Sequence, residues 1–152
     1  MFQIYRRTQP ESSTLMSRYC EVKTEFKDGR ALVEALIETG SWTREQIEVH
    51  IKLQHLHGYK GDQRAEKAHI IIRRKHVGTA SNDIGFVKEE DGHYKTIISA
   101  YDSSKYGSRF IAELKSSYAF HKLHRDQEAR GRSVSRTRLS DGRQRVEITG
   151  YR

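Results

Sequence analysis

Apolar and polar positions alternate with a period of two along much of this chain, and two stretches switch to the helical period of about 3.6. The clearest alternation is 81–101, SNDIGFVKEEDGHYKTIISAY. On its first arm Ile84 and Phe86 alternate with Gly85 and Val87. On its second, Tyr94, Thr96, Ile98 and Ala100 alternate with Lys95, Ile97 and Ser99. Between the arms stands Glu89-Glu90-Asp91-Gly92, and Asp-Gly supplies the positive φ angles of a tight turn. The pattern predicts a β-hairpin.

Upstream, SRYCEVKTEF over 17–26 alternates and predicts a first strand with Cys20, Val22 and Phe26 inward. Asp28 offers a helix N-cap, Leu32, Val33, Leu36 and Ile37 form one stripe, and Gly40 closes the helix as a C-terminal glycine. Residues 41–48 are ambiguous. Trp42 reads as a core or rim anchor there, and Thr43 with Gln46 as a weak capping box. Val49, Ile51, Leu53 and His55 alternate with His50, Lys52, Gln54 and Leu56, which predicts a second strand. A glycine-flanked loop at 57–62 leads to a third strand over 67–77, centred on Ile70, Ile71 and Ile72.

After the hairpin, Phe110, Leu114, Tyr118 and His121 place one stripe on a second helix over 106–130, which Gly131 stops. Ser140-Asp141-Gly142 then joins 132–139 to 143–151 as a second Asp-Gly hairpin. The order is β-α-β-β-β-β-α-β-β. Neither helix lies between long apolar strands, so a parallel doubly wound fold is disfavoured. The expected fold is α+β, an antiparallel sheet with two helices packed on one face. A flexible N-terminal leader over 1–15, containing the only proline, Pro10, precedes a single α+β domain over 16–152.

Composition narrows the function classes. The 152 residues are 35% hydrophobic and 32% charged, enough for a core and unlike a disordered chain. No apolar run reaches the roughly 18 residues of a membrane span, and the N-terminus lacks the apolar stretch of a secretory signal. No membrane association is expected. A single cysteine, Cys20, forbids an internal disulfide and fits a reducing compartment such as the cytoplasm. It reads as an inert buried thiol. Lys plus Arg number 28 against 20 Asp plus Glu, a net charge of +8 that favours polyanions or acidic partners.

Several segments together resemble a known family. They are Met16-Ser17-Arg18-Tyr19 running to Val22-Lys23-Thr24, the helix at 32–40, His57-Gly58-Tyr59, Asp83-Ile84-Gly85-Phe86, Tyr118-Ala119-Phe120-His121-Lys122 and Asp141-Gly142. In this order, over 16–152, they are similar to the family called hypothetical chloroplast reading frame thirty-five. That family, of unknown function, occurs in red-algal plastid genomes, cyanobacteria and other bacteria. The resemblance implies Met16 as the ancestral start and carries no catalytic residues to transfer. A more basic C-terminus and extra residues around 42–54 depart from the family and point to a specialised member.

Candidate chemistry is sparse. His50, His55, His57, His69 and His76 enrich the middle third, and His55 with His57 have the spacing of two ligands on one strand face. No third ligand is placed to join them, so no metal and no cofactor are expected. His121 and His124, followed by Asp126 and Glu128, could serve acid–base chemistry but read as a polar helix end. Nucleophile-elbow, phosphate-loop, dinucleotide and zincin motifs are missing, and Gly58-Tyr59-Lys60-Gly61 lacks the residues that complete a phosphate loop.

Basic clusters carry more. Lys60, Arg64 and Lys67 lie in and after the loop, Arg73, Arg74 and Lys75 close the third strand, and Arg130, Arg132, Arg136, Arg138, Arg143 and Arg145 line the last hairpin. Arginine forks pair bidentately with phosphate, and alternation puts Arg132, Arg136 and Arg138 on a common face. Tyr59, Tyr94, Tyr101 and Tyr106 could stack on bases. The leading expectation is a non-catalytic module binding RNA, DNA or a ribonucleoprotein surface through backbone-directed contacts. The alternative is an adaptor or assembly protein docking on a protein partner, such as an ATPase or a large complex. An enzyme using His121 or the His55/His57 pair is the third reading.

Overall fold

A computed structural model describes residues 18–150. The leader expected over 1–15, and the end of the last strand at Tyr151, lie outside the described residues. The fold is α+β. The strands among the described residues are β1 (Tyr19–Phe26), β2 (Ile47–His57), β3 (Gln63–Ile72), β4 (Ile84–Lys88), β5 (Tyr94–Ser99), β6 (Ser133–Arg138) and β7 (Gln144–Thr149). The helices among the described residues are α1 (Gly29–Gly40), α2 (Arg74–Val77), α3 (Ser103–Tyr106) and α4 (Ser108–Glu128), with a 3-10 turn at Arg44–Gln46. They divide into two compact units. One runs to Lys27 and resumes over Glu45–Ser108; the other holds Asp28–Arg44 and the chain from Arg109 onward.

The first unit is a five-stranded antiparallel sheet of order β1-β5-β4-β3-β2. Ile70, Ile71 and Ile72 are consecutive and all buried, so this part of β3 is covered on both faces. That explains why it reads as an apolar run rather than an alternation. One face gathers Tyr19, Leu56, Ala68, Ile71 and Ile97. Gly85 sits under it, where an added Cβ would come 2.7 Å from the Cβ of Ala68. The other face carries Ile70, Ile72, Ile84 and Phe86, aligned by the pairs Ile70–Phe86 and Ile72–Ile84.

Two expectations for the first strand are corrected. Cys20 is exposed and Val22 is 40% exposed, while Tyr19, Thr24 and Phe26 are buried. β1 is an edge strand, and its ladder with β5 breaks between Lys23 and Phe26. Tyr19 takes the inward place because its hydroxyl donates to the Asp83 carbonyl at 2.8 Å.

The third strand also ends earlier than expected, at Ile72 rather than residue 77. Residues Arg74–Val77 coil into α2 because the Arg74 N–H is captured by the Asp83 carboxylate at 2.6 Å.

In the second unit Asp28 caps α1, accepting from the N–H groups of Arg30 at 2.9 Å and Ala31 at 3.2 Å. Leu32, Val33 and Leu36 of α1, and Phe110 and Leu114 of α4, are buried as their stripes predict. Trp42 is buried and meets Phe110 edge-on, with ring centroids 6.0 Å apart. β6 and β7 form a separate two-stranded sheet.

Gly40 does not serve as the left-handed residue that ends α1. Ser41 takes that conformation, with φ 59°, at a cost of roughly 1 kcal/mol for a residue bearing a Cβ. The glycine is required instead by contact, since a Cβ at position 40 would fall on the Trp42 ring.

Candidate functional site

The densest polar constellation lies in the first unit, at the loop before β4. The Asp83 side chain is fully buried, and its carboxylate accepts three hydrogen bonds: from the His57 N–H at 2.6 Å, the Arg74 N–H at 2.6 Å and Arg73 Nη1 at 2.8 Å. Arg73 also donates from Nε to Glu48 at 3.0 Å and from Nη1 to the His55 carbonyl at 3.1 Å, with His57 Nδ1 at 3.0 Å. Burial works against the Arg73 charge, but Glu48 and Asp83 hold its proton more firmly than usual.

Next to it, Asn82 accepts from the Tyr59 N–H at 2.9 Å, and its amide donates to Ser99 Oγ at 2.9 Å. Ser99 in turn donates to Asp102 at 2.7 Å, and Asp102 also accepts from the Asn82 N–H at 2.9 Å. These groups satisfy one another. A carboxylate shielded from solvent with three donors already on it is not positioned to take a proton from a substrate. The network fastens residues 81–83 to the loop at 57–59 and the turn at 99–102.

The sequence-derived basic residues are distributed accordingly. Arg73 is spent on acids, and Arg74 donates to the carbonyls of Ser81 at 3.1 Å and Thr79 at 3.2 Å. Arg64 lies 4.9 Å over the Tyr19 ring and 4.0 Å from Asp62. Lys60, Lys67 and Lys75 are exposed, Lys60 at 5.5 Å from the Tyr59 ring centre. Tyr94 and Tyr106 are buried, which closes them to a base and corrects that expectation. Tyr59 is half-buried and Tyr101 is 43% exposed.

Within the second unit Arg132 donates to Gln127 at 3.0 Å, Arg143 pairs with Asp141 at 2.7 Å, and Arg145 lies 4.0 Å from Glu147. The strand register puts Arg136 and Arg138 on one face of the hairpin and Arg145 on the other. Arg130 and Arg138 are exposed, with no ion-pair partner among the described residues.

Arg136 belongs to a second cluster, around Glu38. The Glu38 carboxylate receives Ser117 Oγ at 2.6 Å, His121 Nε2 at 3.0 Å and Arg136 Nη2 at 3.0 Å. The Arg136 guanidinium also lies 3.9 Å over the Phe120 ring. A cleft of about 650 Å³ opens beside them, lined by Ser116, Arg138 and Gln144 among others.

Burial alone would raise the Glu38 pKa, but the hydrogen bonds from Ser117, Arg136 and His121 bring it down to about 2. A carboxylate with a depressed folded pKa stabilises the fold above its unfolded value, and that contribution is lost as pH falls through the folded one. Wild-type protein is therefore expected to lose stability between about pH 4.5 and 2 that Glu38→Gln does not lose, as urea unfolding across that window would reveal. Equal slopes for the two would refute the assignment.

His55 and His57 do not share a partner set. His55 Nδ1 lies 2.8 Å from the Arg64 carbonyl, whereas His57 faces Arg73. Among the described residues no three His, Cys, Asp or Glu side chains gather to hold a metal ion.

The feature that sequence reasoning did not place is the outer edge of the sheet. β2 has β3 on one side and, among the described residues, no strand on the other. Its ladder runs from Val49–Ile70 directly to Gln54–Ala68, so 50–53 bow out of register. Val49, Ile51 and Leu53 are 64%, 97% and 46% exposed. The period-two signal for these residues was legible. What no local pattern could supply was their direction, which depends on the bulge and on β2 being terminal.

These features define an α+β protein whose polar network around Asp83 is internally satisfied and whose sheet ends in an apolar, exposed edge. The chain belongs to the family described as "Protein of unknown function (DUF1257)", which matches residues 43–146. That span takes in the Arg73–Asp83 network, β2 and most of the last hairpin. No curated protein and no solved structure matches the chain. Among the described residues no helix is long and apolar enough to cross a membrane.

Proposed function

We propose that this protein is a non-catalytic adaptor or assembly module that docks on a protein partner through the edge strand β2. The observation that carries the reading is the row of Val49, Ile51 and Leu53, exposed on a strand whose outer flank carries no strand among the described residues. Scattered apolar residues are ordinary on a surface, but a row of alternate aliphatic side chains along an open edge is what a protein partner covers. Burying each in an interface is worth about 1.5 to 3 kcal/mol before ordering costs. The buried, mutually satisfied network around Asp83 gives the edge a firm base.

The test is a photo-crosslinking residue placed at position 51 of the full chain, with position 91 in the turn between β4 and β5 as control, in nuclease-treated extracts of the native host. A discrete protein adduct from position 51 alone is expected. Adducts that are equal at both positions, or lost with nuclease, would refute docking at this edge.

A second reading, binding of RNA, DNA or a ribonucleoprotein backbone, is favoured by Lys60, Lys67, Lys75, Arg130 and Arg138. Each is exposed and has no ion pair among the described residues. It would show as affinity for a generic RNA that falls steeply with salt. The likeness to the hypothetical chloroplast reading frame thirty-five family supports a reducing compartment, cytoplasm or plastid stroma, as the setting for either.

A further inference from the structure

We infer that the occupant of the β2 edge is an extended, acidic segment of a partner, with aliphatic residues at every second position. This rests on the docking reading above and specifies the partner's chemistry. An edge strand recruits another strand through its backbone, and alternate side chains then set specificity. Val49, Ile51 and Leu53 recur at every second residue, the repeat that an added strand shares, on a stretch that bows out of register with β3 and so stands clear of the sheet's own ladder.

The surrounding charge selects the sign. Lys52 stands between the apolar residues, Lys67 lies across the ladder beside His55, and Lys60 and Arg64 follow in the hairpin. Of the acids nearby, Glu48 is engaged by Arg73 and His50 and Asp62 by Arg64, which leaves Glu66 of β3 as the one acid there with no ion pair among the described residues. Over residues 49–67 there are four Lys and Arg against two Asp and Glu. A second copy of this chain is a poor occupant, because edge-to-edge pairing brings Lys52 near its own equivalent, and facing like charges destabilise a sheet. A nucleic acid is also poorly served, since the row is aliphatic and offers no ring for a base to stack on.

The experiment uses the full chain and a fluorescein-labelled peptide, Glu-Val-Glu-Ile-Glu-Leu-Glu, with a control in which every Glu is Lys. Fluorescence anisotropy should show the acidic peptide binding at least tenfold more tightly than the basic one. Its affinity should fall with salt and drop at least tenfold in both Ile51→Glu and Lys52→Glu. Amide hydrogen exchange should slow at 49–54 when the acidic peptide is bound. Ile51 is 97% exposed, so Ile51→Glu is expected to fold, and circular dichroism checks it.

The inference is overturned by equal affinity for the two peptides, by binding without protection at 49–54, or by preferential binding to anionic lipid vesicles. Dimerisation of the wild type that Ile51→Glu abolishes would overturn it too. If the peptide fails while the crosslink from position 51 still yields a protein adduct, the acidic-strand chemistry is wrong and the docking reading stands. Failure of the crosslink removes the docking reading itself.

Discussion

Asp83→Ala is expected to destabilise the protein by about 3 to 4 kcal/mol, a large part of a typical domain's stability. The change leaves the His57 and Arg74 N–H groups without their acceptor and strips Arg73 of its closer acid. Each orphaned buried donor costs about 1 to 3 kcal/mol, and an uncompensated, largely buried charge adds to that. Arg73 is 22% exposed and keeps Glu48, so the total should fall short of that of a fully buried pair. Asp83→Asn, which keeps one carbonyl acceptor and the side-chain shape, should cost less. Urea unfolding of both variants checks the order. Asp83→Ala within about 1 kcal/mol of wild type would mean that the network is incidental to the fold.

Gly40→Ala should also destabilise, by about 3 kcal/mol, against the usual sign for a helix. Alanine gains about 1 kcal/mol over glycine in a helix interior, so propensity alone predicts a more stable protein. The new Cβ, however, would fall on the six-membered ring of Trp42, with Cη2 of that ring only 2.8 Å away. The indole is rigid and must leave its buried place against Phe110. Losing a buried tryptophan's packing costs about 3 to 5 kcal/mol, which outweighs the propensity gain. Trp42 is the only tryptophan, so its fluorescence reports the outcome directly. A red-shifted emission with a lower unfolding midpoint is expected. Unchanged emission with raised stability would show that the helix end accommodates the methyl group.

Local chemistry made much of the fold legible. Asp91-Gly92 and Asp141-Gly142 each announce a hairpin, and both glycines adopt positive φ, at 88° and 91°. The stripes of α1 and α4 and the apolar run of β3 fix the elements they belong to. What failed to show was anything decided by a distant partner. Residues 73–77 look like the end of a strand until Asp83 turns them into α2. Cys20 and Val22 look inward until β1 proves to be an edge with a break in its ladder.

The candidate site was harder still. Arginine clusters look like phosphate ligands in one dimension, but Arg136 meets Glu38 from 98 positions away and Arg73 meets Glu48 from 25. No spacing rule reveals such pairs. Asn82 and Asp83 likewise read as ordinary loop polarity, because a buried polar network has no period. The exposed row on β2 was visible as alternation, yet a sheet edge and a sheet centre alternate in the same way.

The outward position of Cys20 provides a practical handle. It is the chain's sole sulfhydryl, and β1 and β2 are the two opposite borders of the sheet. Four strand spacings separate them, roughly 19 Å. A maleimide dye attached there would tag every molecule at one known place, leave the far border unobstructed, and sit well within energy-transfer range of anything that arrives on it.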